Sequence, residues 1–586
     1  MPINLDDNRA DLIVKIDKII DQKLPAKDAV LIKEFLLQYY LGVSSYDLRS
    51  KSILDLYGAL ISHWHFIFQR LPGQAKLRVY NPQLEQHGWQ STHTVIEVAH
   101  DNKPFLLDSL RLALSKLDIN IHLIIHAEGV RFVRDEAGKI LQVLPLDFNN
   151  KAKNKYTNAI QEAPIYMEID RQKDGASIEK ICAELNKVLE DVDIIVKDWP
   201  AMVANLNNVC HALETQNNNE VITFLHWLED NHFTFIGYVE YEYLVDKKNN
   251  TILQYVAGSG LGVLSDARQY NLTRELSKMD PSAREQYLNN ERLLLGKTDT
   301  MASVHRPAYT DFITIKIFNE QDKPARLVRF VGLYTSAAYN EMLDSIPFIR
   351  KKIERVFKLA KFPKNSHDGK ALAHIIETLP RDEIFQAADV EIFDFAIGIL
   401  HLQERQRLRL FMRRDVFGRY FSCLVFVPRE VFSSQLRKDI QQILLKELQG
   451  QSVTFDSKFS ESVLARIHYI VRIDPNAEIN YDAKILEEKI IEAARTWGDD
   501  LKDALDAHWG EEKTNDLFKK YGNAFPVSYR EIFSARSAII DIEHIENLKN
   551  YDDSHLEMSL YRPIEETEES FRFKLFRNSK AIPLSD

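Results

Sequence analysis

A short polar turn at residues 100–105 carries the residue types best suited to binding a small charged molecule. It contains an acid, an amide and a base, and a β-branched strand at Thr94–Ala99 precedes it. An amphipathic helix follows, and Pro104 suits its first turn. N–H groups at a helix N-terminus bind anions, and a carboxylate binds an ammonium group. The candidate effector-binding residues are Asp101, Asn102, Lys103, Pro104 and Phe105.

The same turn has a plain structural explanation, which the pattern favours when it is considered in isolation. Phe105 and Leu107 are then core residues. The binding interpretation predicts that Asp101→Ala weakens effector binding about tenfold or more, because a charge-assisted hydrogen bond is worth about 1.5–3 kcal/mol. It also predicts a small change in fold stability, because a solvated loop carboxylate contributes little to folding.

The densest basic cluster lies between residues 405 and 419 and is a second candidate for binding anions. Arginine forks suit carboxylates and phosphates. On a strand, Arg407, Arg409 and Arg413 would share one face. The secondary anionic-site candidates are Arg409, Arg413 and Arg414. A solvated strand face or a subunit contact explains the cluster more simply, and RNA binding is the weakest alternative.

Other patterns resemble functional motifs without meeting their requirements. Gly258-Ser-Gly-Leu-Gly262 lacks the spacing of a dinucleotide-binding loop and no clear helix follows it, which favours a turn at a sheet edge. His63-Trp-His65 points two histidines to different faces of a helix, without a supporting ligand cluster. His87 and His93 are expected to form hydrogen bonds within a tight turn. We therefore predict no catalytic residue, no cofactor site and no metal site in this chain.

The composition indicates a folded, acidic protein of several domains. Its 586 residues suggest about four domains. The net charge of −11 argues against nucleic acid as a partner. Cys182, Cys210 and Cys423 show neither metal spacing nor a disulfide framework, which favours the cytoplasm. The N-terminus lacks the features of a signal peptide, and no apolar run approaches the ~20 residues of a membrane helix.

The elements around the candidate turn predict an α/β unit. Leu107, Leu110, Leu114 and Leu117 recur at helical spacing, and Ile119–His126 is a second apolar strand. Further on, the pattern predicts a hairpin at Asp135–Gly138, a strand at Pro164–Asp170 and a helix at Ser177–Leu189.

Two later regions have their own patterns. In the first, aromatic or β-branched strands are predicted at His232–Tyr243, Thr251–Val256, Asp311–Phe318 and Ala325–Tyr334. These strands enclose a polar, helix-prone insertion at 272–295. A second compact unit is predicted as β-β-α-β-β, with elements at Arg407–Arg413, Tyr420–Val427, Ser434–Leu448, Ser452–Lys458 and Ala465–Ile473. A last strand starts at Phe571.

Short sequence words give the chain a specific resemblance. In order, they are Asp55-Leu-Tyr-Gly58, Ser62-His-Trp64, Arg78-Val-Tyr-Asn-Pro82, His87-Gly-Trp-Gln-Ser-Thr-His93 and Ile121-His-Leu-Ile-Ile-His126. Phe233–Tyr238, Gly258–Gly262 and Arg329–Thr335 are further words of the same kind. Together they resemble the N-terminal regulatory segment of the large bacterial NAD-specific glutamate dehydrogenases. The strand–turn–helix–strand pattern itself resembles the start of an ACT regulatory unit.

The resemblance implies an α+β multidomain fold of ACT-like (ferredoxin-like) units, a PAS-type antiparallel sheet domain and helical linkers. The expected ranges are 1–89 (N-terminal helical region), 90–195 (first ACT-like domain), 196–219 (helical connector), 220–340 (PAS-type domain), 341–394 (helical linker), 395–476 (second ACT-like domain), 477–547 (helical region) and 548–586 (start of a truncated third ACT-like domain).

The resemblance also implies a function. The parent enzyme would convert L-glutamate, NAD and water to 2-oxoglutarate, ammonia and NADH, with the catalytic residues and the NAD site beyond Asp586. This chain would then be inactive alone, build a homo-oligomer and transmit the binding of an amino-acid or other small-metabolite effector. The alternative is a purely structural oligomerisation scaffold that binds no effector. Neither nucleic acid nor a membrane is expected as a partner.

Overall fold

A computed structural model of the chain describes residues 7–146, 159–214, 218–247, 249–265, 273–402, 405, 407–459, 462–475, 477–562, 571–579 and 581–582. These residues form two compact units, 1–396 and 397–586. The predicted α+β class is confirmed, since helices alternate with several antiparallel sheets. None of the described helices is long and apolar enough to cross a membrane. Leu272 and parts of the predicted last domain (563–570, 580 and 583–586) lie outside the described residues.

The first unit opens with four helices, as their apolar stripes predict. They are α1 (Asp7–Lys23), α2 (Ala26–Tyr39), α3 (Ser45–Arg49) and α4 (Ile53–Ile67). Ile16, Ile20 and Phe35 are almost fully buried in one core, which also takes in strands of the first sheets. Ser52 starts α4, because its side chain accepts a hydrogen bond from the N–H of Asp55.

An α/β unit with two sheets follows these helices. Its elements are β1 (Lys76–Tyr80), α5 (Leu84–His87), β2 (Thr94–Ala99), α6 (Leu106–Lys116), β3 (Ile121–His126), β4 (Val130–Arg134), β5 (Ile140–Leu144), β6 (Ala159–Glu162), β7 (Ile165–Ile169) and α7 (Gly175–Glu214). The main sheet is antiparallel in the order β1-β2-β7-β3. The smaller sheet has the order β5-β4-β6.

The edge strand β1 was not predicted, and its residues fall in the range expected to be helical. It pairs only with β2, and four of its five residues are half-buried. Val79 is the one buried residue of the five, so β1 lacks the alternation that reveals a half-buried strand. The sheet therefore starts before residue 90.

Two local predictions in this unit have different outcomes. The hairpin at Asp135–Gly138 is confirmed: Gly138 has φ +78°, and a Cβ there would lie 2.4 Å from the carbonyl oxygen of Arg70. Pro104, by contrast, precedes the helix, because α6 starts at Leu106 with Phe105 as its N-cap. The predicted second helix and the connector form one helix of 40 residues, α7, with an exposed Pro200 in its course.

A seven-stranded antiparallel sheet occupies the second half of this unit. Its elements are α8 (Asn219–Trp227), β8 (Phe233–Val245), β9 (Thr251–Tyr255), β10 (Leu261–Gly262), β11 (Arg274–Glu275), α9 (Pro281–Leu288), β12 (Leu293–Met301), β13 (Tyr309–Phe318) and β14 (Pro324–Tyr334). The order is β11-β9-β8-β14-β13-β12, and β10 pairs with β8. The four predicted strands are confirmed. The insertion contains a helix, as expected, but β12 was missed.

Helices complete the first unit and cross into the second. They are α10 (Ser336–Asn340), α11 (Ile349–Ala360), α12 (His367–Thr378), α13 (Arg381–Gln386) and α14 (Asp389–Leu402). The predicted helical character of 341–394 is confirmed. Glu220 supports the start of α11, since its Oε1 accepts the N–H of Phe348 at 2.8 Å and the Nε of Arg350 at 2.8 Å.

The second unit begins with the predicted β-β-α-β-β arrangement. Its elements are β15 (Arg409–Arg414), β16 (Tyr420–Pro428), α15 (Ser434–Glu447), β17 (Ser452–Lys458), β18 (Leu464–Arg472) and α16 (Ala483–Ala494). The sheet order is β15-β16-β18-β17. In both this sheet and the first, the opening strand pairs with the next strand, a helix follows, and the fourth strand lies between the second and the third.

Helices and a strand pair end the described chain. They are α17 (Trp497–Trp509), α18 (Glu511–Tyr521), α19 (Val527–Ile532), α20 (Ala535–Asn547), β19 (Leu556–Tyr561) and β20 (Arg572–Arg577). The helices share a small core that includes Leu501, Leu505 and Ile542. β19 and β20 pair antiparallel, as β1 and β2 do in the first sheet and β15 and β16 do in the four-stranded sheet of the second unit.

Candidate functional site

The structure places Asp101 in an ion pair. Arg70 Nη2 donates to Asp101 Oδ1 at 2.5 Å, and the N–H of Gly73 donates to Asp101 Oδ2 at 3.1 Å. The side chain of Arg70 is only 1% exposed. The expectation of a solvated loop carboxylate is wrong, because both carboxylate oxygens accept hydrogen bonds from elsewhere in the fold.

Arg70 belongs to a buried cluster of charges around Glu162. Arg70 Nε donates to Glu162 Oε2 at 3.0 Å, and Arg134 Nε donates to Glu162 Oε1 at 2.6 Å. Glu162 is fully buried. Arg134 also donates to the carbonyl oxygens of Ile67 and Gly138. This cluster ties the end of α4 to the smaller sheet and anchors the turn from one side.

Lys103 anchors the turn from the other side. Its ammonium group pairs with Asp193 of α7, and His100 Nε2 lies 3.1 Å from Asp193 Oδ1. Burial by itself would raise the pKa of Asp193, but hydrogen bonds with His100 and Lys103 hold it below its ordinary value. The N–H of Asn102 donates to the carbonyl oxygen of Gln161 at 3.0 Å.

Phe105 closes the turn in a left-handed conformation. Its φ is +65°, and its ring lies 4.9 Å from the imidazole of His305. The N–H of His305 donates to Ser109 Oγ at 3.1 Å, and Ser109 Oγ donates to the carbonyl oxygen of Phe105 at 2.6 Å. A loop next to the seven-stranded sheet thus contacts the first turn of α6.

The five predicted effector residues are therefore adjacent, but their charged groups are already engaged. A ligand ammonium group at Asp101 would have to compete with Arg70 and Gly73. The effector role of Asp101–Phe105 stays a prediction. The contacts themselves show a turn that joins β2, α6 and α7.

The secondary candidates do not form one cluster. Neighbouring strand residues point to opposite faces, so Arg414 lies across the sheet from Arg409 and Arg413. Arg409 is exposed and its Nη1 donates to Glu487 Oε1 at 2.8 Å. Arg413 is buried, with its guanidinium carbon 5.9 Å from the Tyr420 ring centroid. Their role as an anionic site stays a prediction.

The glycine-rich segment is a turn against the sheet. Gly262 has φ +60° and a Cβ there would lie 2.2 Å from the carbonyl oxygen of Ile236, so only glycine fits. Its N–H donates to Asp198 Oδ2 at 2.9 Å. A carboxylate at this N–H repels a phosphate, so the segment does not fit the pyrophosphate of NAD.

The histidines take structural positions. His63 is fully buried, contacts the Tyr39 hydroxyl at 2.9 Å, and burial lowers its pKa to about 3. His87 accepts a hydrogen bond from the N–H of Gln83 within the turn, as expected. His93 contacts Thr92 in the turn and lies 3.1 Å from Glu168 of β7. No described group of three or more His, Cys, Asp or Glu side chains is arranged to hold a metal ion.

Sequence reasoning assigned no function to a cleft of about 650 Å³ between α4, β1 and residues 84–90. The α4 residues that line it are Leu54, Asp55, Tyr57, Gly58, Ile61, Ser62 and His65. Lys23 and Arg78 bring positive charge to its walls. Four of the five words in residues 55–126 that carry the resemblance contribute residues to this cleft. The four words were recognised in the sequence. Because they are separated along the chain, the sequence did not show that they meet at one cleft.

The comparisons with known proteins agree on one family. Models of glutamate dehydrogenase domains match as ACT1 at residues 35–185, helical motif 1 at 346–405, ACT2 at 409–498, helical motif 2 at 504–548 and ACT3 at 555–586. An NAD-specific glutamate dehydrogenase of Halomonas elongata is 39% identical over 591 residues, which covers 99% of this chain. This chain belongs to the large NAD-specific glutamate dehydrogenase family.

The matches cover only part of those relatives. The chain spans 36% of the length of the Halomonas elongata dehydrogenase and 36% of that of Pseudomonas aeruginosa, to which it is 35% identical. An NAD-specific glutamate dehydrogenase of Mycobacterium tuberculosis is 25% identical over 78% of this chain and 28% of its own length. Within the family, the two sheets of matching order are the ACT1 and ACT2 domains. The ACT1 match begins at residue 35 and so includes β1, which the predicted range of 90–195 leaves out.

Proposed function

We propose that this chain is the regulatory and oligomerisation segment of an NAD-dependent glutamate dehydrogenase. The parent enzyme would oxidise L-glutamate with NAD and water to 2-oxoglutarate, ammonia and NADH, in the cytoplasm. The observation that carries the proposal is the pair of matching sheets, ACT1 and ACT2, in the order β1-β2-β7-β3 and β15-β16-β18-β17. NAD would bind outside the described residues, since the glycine-rich turn does not fit it.

We also propose that the seven-stranded sheet is a PAS-type domain. Its five long strands, taken in chain order, are β8, β9, β12, β13 and β14, and they lie in the order second, first, fifth, fourth and third. That order, with α9 inserted between the second and third strands, supports the expectation for residues 220–340. It would place a sensor-like module beside the ACT1 domain within the first unit.

The purely structural scaffold remains the second candidate, and the engaged turn favours it. Asp101 and Lys103 already have partners, as a turn without a ligand requires. The two functions differ in one measurable property, because a ligand that binds the folded state raises the melting temperature by mass action. Thermal shifts with amino acids, 2-oxoglutarate and nucleotides are expected for a regulatory segment and absent for a scaffold.

Activity measurements test the parent function. The 586-residue chain by itself is expected to form no NADH from glutamate and NAD. The intact gene product that contains this chain is expected to form it. Glutamate-dependent NADH formation that survives repurification of the 586-residue chain would place the catalytic residues within it and overturn the proposal. Absence of this activity from the intact product would overturn the assignment to the parent reaction.

A further inference from the structure

Two histidines meet at one end of the main sheet of the first unit. His93 directly precedes β2, and His122 lies on the edge strand β3. Strand β7 lies between β2 and β3, yet the two imidazole ring centroids are only 4.3 Å apart and the ring planes are tilted by 39°. Both side chains reach solvent, with exposed fractions of 24% for His93 and 41% for His122. Folding therefore pairs two imidazoles that are distant in the sequence.

Each of these rings is held by a carboxylate through one of its nitrogens. His93 Nδ1 lies 3.1 Å from Glu168 Oε2, and His122 Nε2 lies 2.7 Å from Asp170 Oδ1. A carboxylate bound to one imidazole nitrogen fixes the orientation and the tautomer of the ring. Histidines that bind metal ions in proteins almost always have such a partner on the nitrogen that faces away from the ion.

The two carboxylates are themselves fixed by the fold. The Tyr166 hydroxyl donates to Glu168 Oε1 at 3.1 Å, and the Lys51 ammonium pairs with the other oxygen of Glu168. The N–H of Asn120 donates to Asp170 Oδ2 at 2.9 Å. Among these groups, two carboxylates and one ammonium leave one net negative charge when both imidazoles are neutral. That charge favours a cation beside the two rings.

The second nitrogen of each ring has no hydrogen-bond partner among the described residues. These nitrogens are Nε2 of His93, whose contacts with Thr92 and Glu168 both use Nδ1, and Nδ1 of His122. Two imidazoles that share one Zn²⁺ have ring centres about 5 Å apart, given zinc–nitrogen bonds of about 2.0–2.1 Å and tetrahedral angles. The observed 4.3 Å is close to this separation, and the exposed ring of His122 can adjust by a small rotation.

We propose that His93 and His122 together bind a divalent transition-metal ion of the Zn²⁺ class, through Nε2 of His93 and Nδ1 of His122. Imidazole nitrogens suit these ions, whereas Mg²⁺ prefers oxygen ligands. Water completes the coordination of the bound ion, since no described group of three or more His, Cys, Asp or Glu side chains is arranged to hold one. The ion ties the start of β2 to the edge strand β3, and this site does not depend on the function proposed above.

Calorimetry of the 586-residue chain, prepared without a polyhistidine tag and freed of metal ions with a chelator, is the first test. Zn²⁺ at tens of micromolar is expected to bind with one ion per chain in its tightest phase. It should also raise the melting temperature, because an ion that binds the folded state stabilises that state by mass action. Mg²⁺ at the same concentration is expected to do neither. No binding of Zn²⁺, or an equal effect of Mg²⁺, would overturn the proposal.

Histidine variants locate the site. His93→Gln and His122→Gln are each expected to abolish the tightest Zn²⁺ binding, because the proposal gives the ion no third protein ligand. His508→Gln is the matched control: His508 Nε2 lies 2.8 Å from Glu543 Oε1 and the side chain is 48% exposed, but the ring contacts Trp509 and not a second histidine. This control is expected to leave binding unchanged. Binding that survives both substitutions in the pair, or that the control also removes, would overturn the proposal.

A further variant tests the carboxylate that orients one ring. Asp170→Asn is expected to weaken Zn²⁺ binding about tenfold, the smaller of the usual losses when an outer partner of a metal-binding histidine is removed. The stoichiometry should stay at one ion per chain. Melting curves without metal accompany each variant, and if His93→Gln does not fold, the exposed His122 decides through His122→Gln. Unchanged affinity in Asp170→Asn would overturn the orienting role of this carboxylate.

Discussion

Phe105 and His305 face each other with both backbones in the left-handed region. Their φ angles are +65° and +72°, and their ring centroids are 4.9 Å apart. Phe105 is the N-cap of α6 and His305 lies in the loop between β12 and β13, so one aromatic contact joins the ACT1 domain to the seven-stranded sheet. Strained residues persist where the surrounding structure over-determines them, and here each ring helps to hold the other.

Replacing Phe105 should separate strain from stacking. Phe105→Ala removes the ring but keeps a side chain at positive φ, whereas Phe105→Gly removes both. The glycine variant is expected to be more stable than the alanine variant by about 1 kcal/mol, because glycine adopts positive φ without steric cost. Urea denaturation followed by tryptophan fluorescence measures the difference. Equal stability of the two variants would show that the left-handed backbone at this position carries no strain.

The charge cluster around Glu162 should be essential to the first unit. Glu162→Gln leaves buried Arg70 and Arg134 without their shared carboxylate. We expect the free energy of unfolding to fall by about 3–5 kcal/mol, the usual cost of removing one partner of a buried ion pair. Glu136→Gln, an exposed glutamate of the nearby hairpin, is the matched control and should change stability by less than about 0.5 kcal/mol. Similar losses in both variants would contradict a special role for Glu162.

Asp101→Ala should destabilise the protein even without a ligand. The change leaves Arg70 Nη2 and the N–H of Gly73 without their acceptor, which costs about 1–3 kcal/mol when the donor is buried. Thermal melting of the unliganded chain, compared with wild type, measures the effect. An unchanged melting temperature would mean that the Asp101–Arg70 pair is solvent-screened and that the turn is free to exchange partners with a ligand.

Lys316 should make stability depend on pH in the alkaline range. It is fully buried and, among the described residues, donates only to oxygens of Gln286 and Asn289, so burial lowers its pKa from 10.5 to about 8. Between these two pKa values the unfolded chain binds the extra proton. The contribution of Lys316 to stability therefore rises as the pH increases from about 8 to 10.5.

Comparison with Lys316→Met isolates this contribution from those of the buried tyrosines. The stability of wild type relative to Lys316→Met should increase between pH 7.5 and pH 10, as measured by urea denaturation. Lys323→Met, at an exposed turn position, should show no such trend. A constant difference between wild type and Lys316→Met across this range would mean that the folded-state pKa is close to the ordinary one.

The chain is expected to self-associate through exposed strand edges. β19 and β20 form a two-stranded sheet, and Met558, Leu560 and Phe573 on these strands are each at least 59% exposed. A two-stranded sheet is marginal in water and its unpaired edges favour pairing with another chain. Light scattering at tens of micromolar should show a dimer or larger species, and Leu560→Lys with Phe573→Lys should reduce it. A monomer in wild type would contradict the expectation.

Local patterns in the sequence were sufficient for most of the secondary structure. β17 was predicted at its observed bounds, Ser452–Lys458, and the hairpin at Asp135–Gly138 follows from turn chemistry that acts within four residues. The sequence words by themselves also indicated the family. β1 and β12 were missed because neither shows the apolar alternation that reveals a strand: one residue of β1 is buried, and β12 buries consecutive residues and starts within a range predicted as a helix-prone insertion.

Only the tertiary structure decided which side chains are free to bind a ligand. Asp101 is polar and lies in a turn, yet its partner Arg70 is 31 residues away in sequence. Lys23, Asp55, Arg78 and Trp89 come from separate segments and meet at one cleft. Hydrophobic periodicity and turn chemistry depend on residues that are close together in the chain, so they can be recognised from the sequence. The partners of charged side chains are set by packing between distant segments, which the sequence alone does not display.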